Sequence, residues 1–122
     1  MKRILIVDDA ATVRMYHRSI LEKAGYVVDE AVNGIEALEK SLQRPFDLYV
    51  VDINMPKLDG YGFLRELRDQ DIAQAPAIMI STEAESSDYL QAYAAGANAY
   101  LVKPVRSEQL LTHIKLLIGM PQ

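Results

Sequence analysis

The chain has 122 residues, half of them hydrophobic, and 17 Asp and Glu against 13 Lys and Arg give a formal net charge of −4. That acidic balance argues against direct nucleic-acid binding, which calls for a basic face. The absence of cysteine excludes a disulfide framework and a thiolate zinc site.

In chain order, Lys2 and Arg3 precede only four apolar residues, Ile4 to Val7. This run is too short for a secretory signal, and no stretch approaches the ~20 apolar residues of a membrane span. A cytoplasmic protein without membrane insertion is expected, with a single domain over residues 1–122 and no output domain. Four runs lack polar alternation: Ile4–Val7, Leu48–Val51, Ala77–Ile80 and Ala99–Val102. Each suits a strand covered on both faces. Val27–Ala31 alternates more and reads as an edge strand.

Helical patterns lie between these runs. Val13, Tyr16, Ile20 and Leu21 share one face of a first helix that Gly25 would stop. Ile35, Leu38 and Leu42 form a second face, and Pro45 bars its continuation. Phe63, Leu64 and Leu67 make a third; Tyr89, Ala92 and Tyr93 make a fourth, ending at Gly96. The fifth has Ser107 as its expected N-cap and Leu110, Leu111, Ile114, Leu117 and Ile118 on its apolar face. Leu116 falls outside that arc, as an outward leucine. Five β-α repeats predict an α/β fold with a parallel sheet, right-handed crossovers and helices on both faces.

Open α/β sheets bind ligands beyond the carboxyl ends of their strands. The first strand ends in Asp8-Asp9, the third in Asp52, the fourth in Ser81-Thr82 and the fifth in Lys103-Pro104. Clustered carboxylates resist ionisation unless a cation neutralises them. Oxygen-only donors favour a hard ion, and Mg²⁺ fits. A carboxylate can also attack a phosphoryl group, with metal and lysine neutralising the equatorial oxygens. The set therefore predicts a phosphoryl-transfer site.

These residues resemble the response-regulator receiver domains, of the CheY-like single-domain type. The resemblance rests on Asp8-Asp9, the segment from Asp52 to Gly60, Ser81 and Lys103-Pro104, and it covers the whole chain. It implies a doubly wound, flavodoxin-like sheet of order 2-1-3-4-5 with five helices. It further implies that Asp52 is the phosphoacceptor and that Asp9, Asp52 and the Asn54 carbonyl hold Mg²⁺ directly, with Asp8 acting through water. Lys103 would contact the phosphoryl group, and the Lys103-Pro104 peptide would be cis. Ser81 and Tyr100 match the switch pair that alters the face built by the fourth helix, fifth strand and fifth helix; Leu116 could extend a contact patch there.

The implied donor is a histidine kinase or phosphotransfer protein, and the implied output is a partner protein, in chemotaxis or elsewhere. A monomer or weak phospho-dependent dimer would follow. Two departures from the family pattern stand out. Ala11 occupies a position where many members carry a capping serine, and Thr82 stands where a smaller residue is common. Thr82, Asn54 and Glu83 would modulate the lifetime of the phosphorylated state.

The rival reading is a Mg²⁺-dependent phosphatase of the haloacid-dehalogenase type. That chemistry needs a second aspartate two positions after the nucleophile, yet Ala10 follows Asp8 and Asn54 follows Asp52 at that spacing. Dinucleotide binding is weaker still, because Gly60-Tyr61-Gly62 lacks the third glycine of the fingerprint and does not follow the first strand. His17 and His113 read as surface residues.

Overall fold

The four apolar runs and the more polar Val27–Ala31 become five parallel strands in a computed structural model that describes residues 1–122. The elements are β1 (Arg3–Val7), α1 (Ala11–Lys23), β2 (Val27–Ala31), α2 (Gly34–Gln43), β3 (Leu48–Asp52), α3 (Gly60–Arg68), β4 (Ala77–Ser81), α4 (Ser86–Ala95), β5 (Ala99–Val102) and α5 (Ser107–Ile118). The sheet order is β2-β1-β3-β4-β5, as expected. No helix is long and apolar enough to cross a membrane.

Residues alternate between two cores because successive side chains point to opposite faces of a strand. Ile4, Ile6, Leu48, Val50, Ile78, Ile80 and Leu101 pack beneath α1 and α5, against Leu21, Leu110 and Ile114. Leu5, Val7, Tyr49, Val51, Met79 and Tyr100 pack beneath α2, α3 and α4, against Ala37, Phe63, Leu67 and Ala92. Burial on both faces accounts for the continuous apolar runs. Helices α1 and α4 each give way to a left-handed glycine, Gly25 at φ 101° and Gly96 at φ 114°, where a side chain would be strained.

Three helix faces and one helix cap differ from the expected ones. In α1 the inward residue is His17, 4% exposed, rather than Tyr16, which is half exposed. The i, i+4, i+8 row of Val13, His17 and Leu21 sets the register, while Tyr16 donates its hydroxyl proton to the Val105 carbonyl at 3.2 Å. In α2 the buried face is Gly34, Ala37 and Ser41, with Leu38 packed beside them, whereas Ile35 and Leu42 point outward. Small residues let this helix lie close to its neighbours.

The same holds in α4, where Ala92 and Ala95 are buried, Tyr89 packs on the core and Tyr93 is exposed. In α5 the N-cap is Arg106, in extended conformation, and Ser107 is the first helical residue. No side chain caps α1; its cap position is Ala10, one residue before Ala11, so the blunt start expected of this helix is present. The outward Leu116 is 79% exposed, in agreement with the helical geometry.

Candidate functional site

Strand register brings the acidic residues together. Val7 pairs with Val51 and Asp52 with Ile80, so Asp8 leaves β1 beside the end of β3. Oxygens of Asp8, Asp9 and Asp52 all lie within 4.8 Å of one another. Asp8 and Asp52 are buried and Asp9 is exposed. Such a set of hard oxygen donors suits a divalent cation such as Mg²⁺.

Backbone and side-chain contacts hold the two buried acidic residues, Asp8 and Asp52. Asp8 Oδ1 accepts the Ala10 N–H at 2.9 Å, and its backbone carbonyl accepts from Arg14 Nη1 at 2.8 Å. Arg14 is itself held by Glu30 of β2, 2.8 Å from its Nε. Beyond Asp52 the chain folds back so closely that a Cβ on Gly60 would come within 2.6 Å of the Asp52 carbonyl. Only glycine fits there. Asp59 then caps α3 by accepting the Gly62 N–H at 2.8 Å. Asn54, on the intervening loop, is exposed.

Lys103 enters from the end of β5. Its Nζ stands 3.0 Å from Asp52 Oδ1 and 3.8 Å from Asp8 Oδ2, and the Lys103-Pro104 peptide is cis. Burial raises the Asp52 carboxyl above its ordinary range. The Lys103 hydrogen bond opposes that shift, and the charges of Asp8 and Asp9 add to it. Asp52 is thus a desolvated carboxylate with one ammonium beside it and two further acids close by.

Ser81 ends β4 fully buried, and its Oγ accepts the Glu83 N–H at 3.1 Å. Thr82 and Glu83 are exposed at the rim. Tyr100 is buried; its hydroxyl donates to the Glu83 carbonyl at 2.8 Å, and its ring meets that of Tyr89 edge-on at 4.5 Å. The loop after β4 is therefore tied both to Ser81 and to Tyr100.

The rim gathers Asp8, Asp9, Asp52, Ser81 and Lys103 from four strands, while Leu116 lies on α5. Two residues near the site escaped the sequence reading. Arg14 could not be found without the pairing of β1 with β2 that brings Glu30 within reach. His17 was signalled by its spacing from Val13 and Leu21. Burial lowers its imidazole below the ordinary value, Asp8 works against that shift and Lys103 with it.

Comparison with known proteins agrees with this geometry. Residues 4–115 match the response regulator receiver domain. The chain is 45% identical over 113 residues to the chemotaxis protein CheY of Bacillus subtilis, covering 92% of this chain and 93% of that protein. It is 36% identical over 116 residues to the transcriptional regulatory protein ResD of the same organism, covering 95% of this chain but only 48% of ResD. A crystal structure of the receiver domain of sensor histidine kinase PA1611 from Pseudomonas aeruginosa PAO1, with magnesium coordinated in its active-site cleft, superposes with a TM-score of 0.89. That pair is 30% identical, over 97% of this chain and 98% of the other. The chain belongs to the response regulator receiver domains of two-component systems.

Proposed function

We propose that Asp52 accepts a phosphoryl group from a phosphohistidine of a histidine kinase or phosphotransfer protein, and that the resulting rearrangement controls a partner. The observation that carries this reading is the convergence of three carboxylates within 4.8 Å, with Lys103 Nζ 3.0 Å from Asp52. A buried carboxylate oxygen at a strand end is a nucleophile, and its attack on phosphorus yields an acyl phosphate. Lys103 offers a compact ammonium to the transferred oxygens.

Asp9, Asp52 and the Asn54 carbonyl would hold Mg²⁺, with Asp8 acting through water. The ion would supply charge neutralisation at the phosphoryl oxygens.

Ser81 would follow the phosphoryl group, releasing its acceptor bond to the Glu83 N–H. Because Tyr100 holds the Glu83 carbonyl, one shift of this loop would loosen both ties. The face of α4, β5 and α5 would then change, and a partner would read it. Thr82 would narrow the approach to Asp52, and with Asn54 and Glu83 it would set the lifetime of the modification.

Incubation with phosphorylated kinase and Mg²⁺ should add one hydroxylamine-labile phosphoryl group per chain, seen by mass spectrometry and absent in Asp52→Asn. Equal labelling of that variant would refute the assignment. No observation favours the phosphatase alternative.

A further inference from the structure

The two acids at the end of β1 are held very differently. The Asp8 N–H donates to the Ala31 carbonyl at 3.1 Å, and Asp8 Oδ1 accepts the Ala10 N–H at 2.9 Å. Asp8 Oδ2 faces Lys103 Nζ at 3.8 Å, and the Asp8 carbonyl accepts from Arg14 Nη1 at 2.8 Å. No backbone N–H donates to that carbonyl, so Arg14 is its donor. Asp9, by contrast, is exposed, and no protein group hydrogen-bonds its carboxylate. Where the Asp9 side chain starts is set by its backbone alone.

Arg14 is itself fixed from two sides. Its own N–H donates to the Ala10 carbonyl at 3.0 Å in the first turn of α1. Its Nε meets Glu30 Oε1 at 2.8 Å, and Arg18 holds the other oxygen of Glu30. Glu30 stands opposite Ile6 in the β1–β2 register, and the Arg14 side chain is only 15% exposed. One planar guanidinium therefore spans a carboxylate on β2 and a carbonyl at the end of β1.

We propose that Arg14 is a positioning residue for Asp9, acting through the Asp8-Asp9 peptide. It rests on the reading of Asp9 as a Mg²⁺ ligand. A peptide unit is planar, so the Asp8 carbonyl oxygen, the Asp9 nitrogen and the Asp9 Cα move as one body. Holding the oxygen holds the Cα from which the ligand projects. The device matters more in this chain because α1 begins without a side-chain cap: Ala10 and Ala11 offer no hydroxyl to steady the turn.

Charge and geometry predict opposite signs here. As a charge alone, Arg14 works against a bound cation, and its removal would leave Glu30 less compensated and tighten Mg²⁺ binding. As a positioning group, its removal frees the Asp8-Asp9 peptide and weakens binding. As a mere tie between α1 and β2, it would affect stability and leave Mg²⁺ affinity alone.

The test uses the intact chain with Arg14→Met, which keeps a similar stem, and Arg14→Lys, which keeps the charge and a donor. NMR titration with MgCl₂ should show binding about tenfold weaker in Arg14→Met, with a smaller loss in Arg14→Lys. Asp52 phosphorylation should slow at low Mg²⁺ and return to the wild-type rate at saturating Mg²⁺, because Arg14 touches neither Asp52 nor Lys103. Without metal, ¹⁵N relaxation of Arg14→Met should show the Asp9 amide order parameter falling below the ~0.85 of rigid backbone, while that of Ile53 is unchanged. Thermal melts establish folding, and if Arg14→Met does not fold, Arg14→Lys carries the same measurements.

Unchanged or tighter Mg²⁺ binding in the folded variants refutes the proposal, whatever the order parameters do. A slow rate that persists at saturating Mg²⁺ refutes it as well. Asp9→Ala, measured alongside, separates this proposal from the metal reading. If Asp9→Ala weakens binding and the Arg14 variants do not, only the role of Arg14 falls. If Asp9→Ala leaves affinity unchanged, the ligand assignment falls and this proposal with it.

Discussion

Lys103 Nζ reaches Asp52 Oδ1 at 3.0 Å from the far side of β4, so the ends of β3 and β5 are linked by one hydrogen-bonded ion pair. An ammonium is compact and turns freely on its stem, whereas a guanidinium is a planar fork. Lys103→Arg should keep the charge and the fold but misplace the donor, slowing Asp52 phosphorylation at least about tenfold. Rapid-mixing kinetics with a phosphorylated kinase checks this. Wild-type rates would make the lysine a mere counter-charge.

Asp52 also leaves a signature in stability. Its carboxyl lies above the ordinary value of 3.8 because it is desolvated, with the hydrogen bond from Lys103 only partly compensating. A carboxyl that holds its proton more tightly folded than unfolded favours the fold below the unfolded value, and that contribution is lost as pH rises through the folded value. Without divalent metal, Asp52→Asn should therefore melt higher than wild type at pH 7, by about 3–5 °C for a gain near 1 kcal/mol. The difference should vanish near pH 3. A destabilised variant at pH 7 would show that the Lys103 pair outweighs the burial of the carboxylate.

The metal reading is tested separately. Asp9 is the exposed member of the acidic set, so its loss leaves the buried pair in place. Asp9→Ala should weaken Mg²⁺ affinity about tenfold or more by removing one oxygen ligand, while thermal stability without metal stays the same or rises. Fluorescence or NMR titration with MgCl₂ measures this directly. Unchanged affinity would move the ion to other ligands.

How much of this was legible in the residues depended on what kind of signal carried it. Strands buried on both faces announce themselves as unbroken apolar runs, and their last residues mark the rim. Asp8, Asp9, Asp52, Ser81 and Lys103 were found that way. Helix faces were harder, because a count of large apolar residues ignores small ones. Ala37, Ser41, Ala92 and Ala95 hold the buried faces of α2 and α4, while Leu42 and Tyr93 lie outside. His17 was misread for a related reason: a polar name outweighed a sound i, i+4 spacing. Arg14 was hidden because its partner Glu30 lies in another strand, and only the sheet order makes them neighbours.

The two faces of α5 offer a paired measurement. Leu110 is fully buried against the strands, whereas Leu116, six residues on, is 79% exposed. At 100° per residue the two differ by ~120° after full turns, which carries Leu116 clear of the core. Leu110→Ala should remove buried methyl groups and leave a cavity, costing about 2–4 kcal/mol in urea unfolding. Leu116→Glu should change stability by no more than about 0.5 kcal/mol, since it replaces one solvated side chain by another. Asp52 labelling should be unaltered by Leu116→Glu, because the residue lies on α5 away from the rim. If a partner reads this face, the same variant should weaken its binding to the phosphorylated form, measured by titration calorimetry against a beryllofluoride-treated sample. A loss of several kcal/mol in Leu116→Glu would mean that α5 is rotated from the register described above, and that Leu116 belongs to the core.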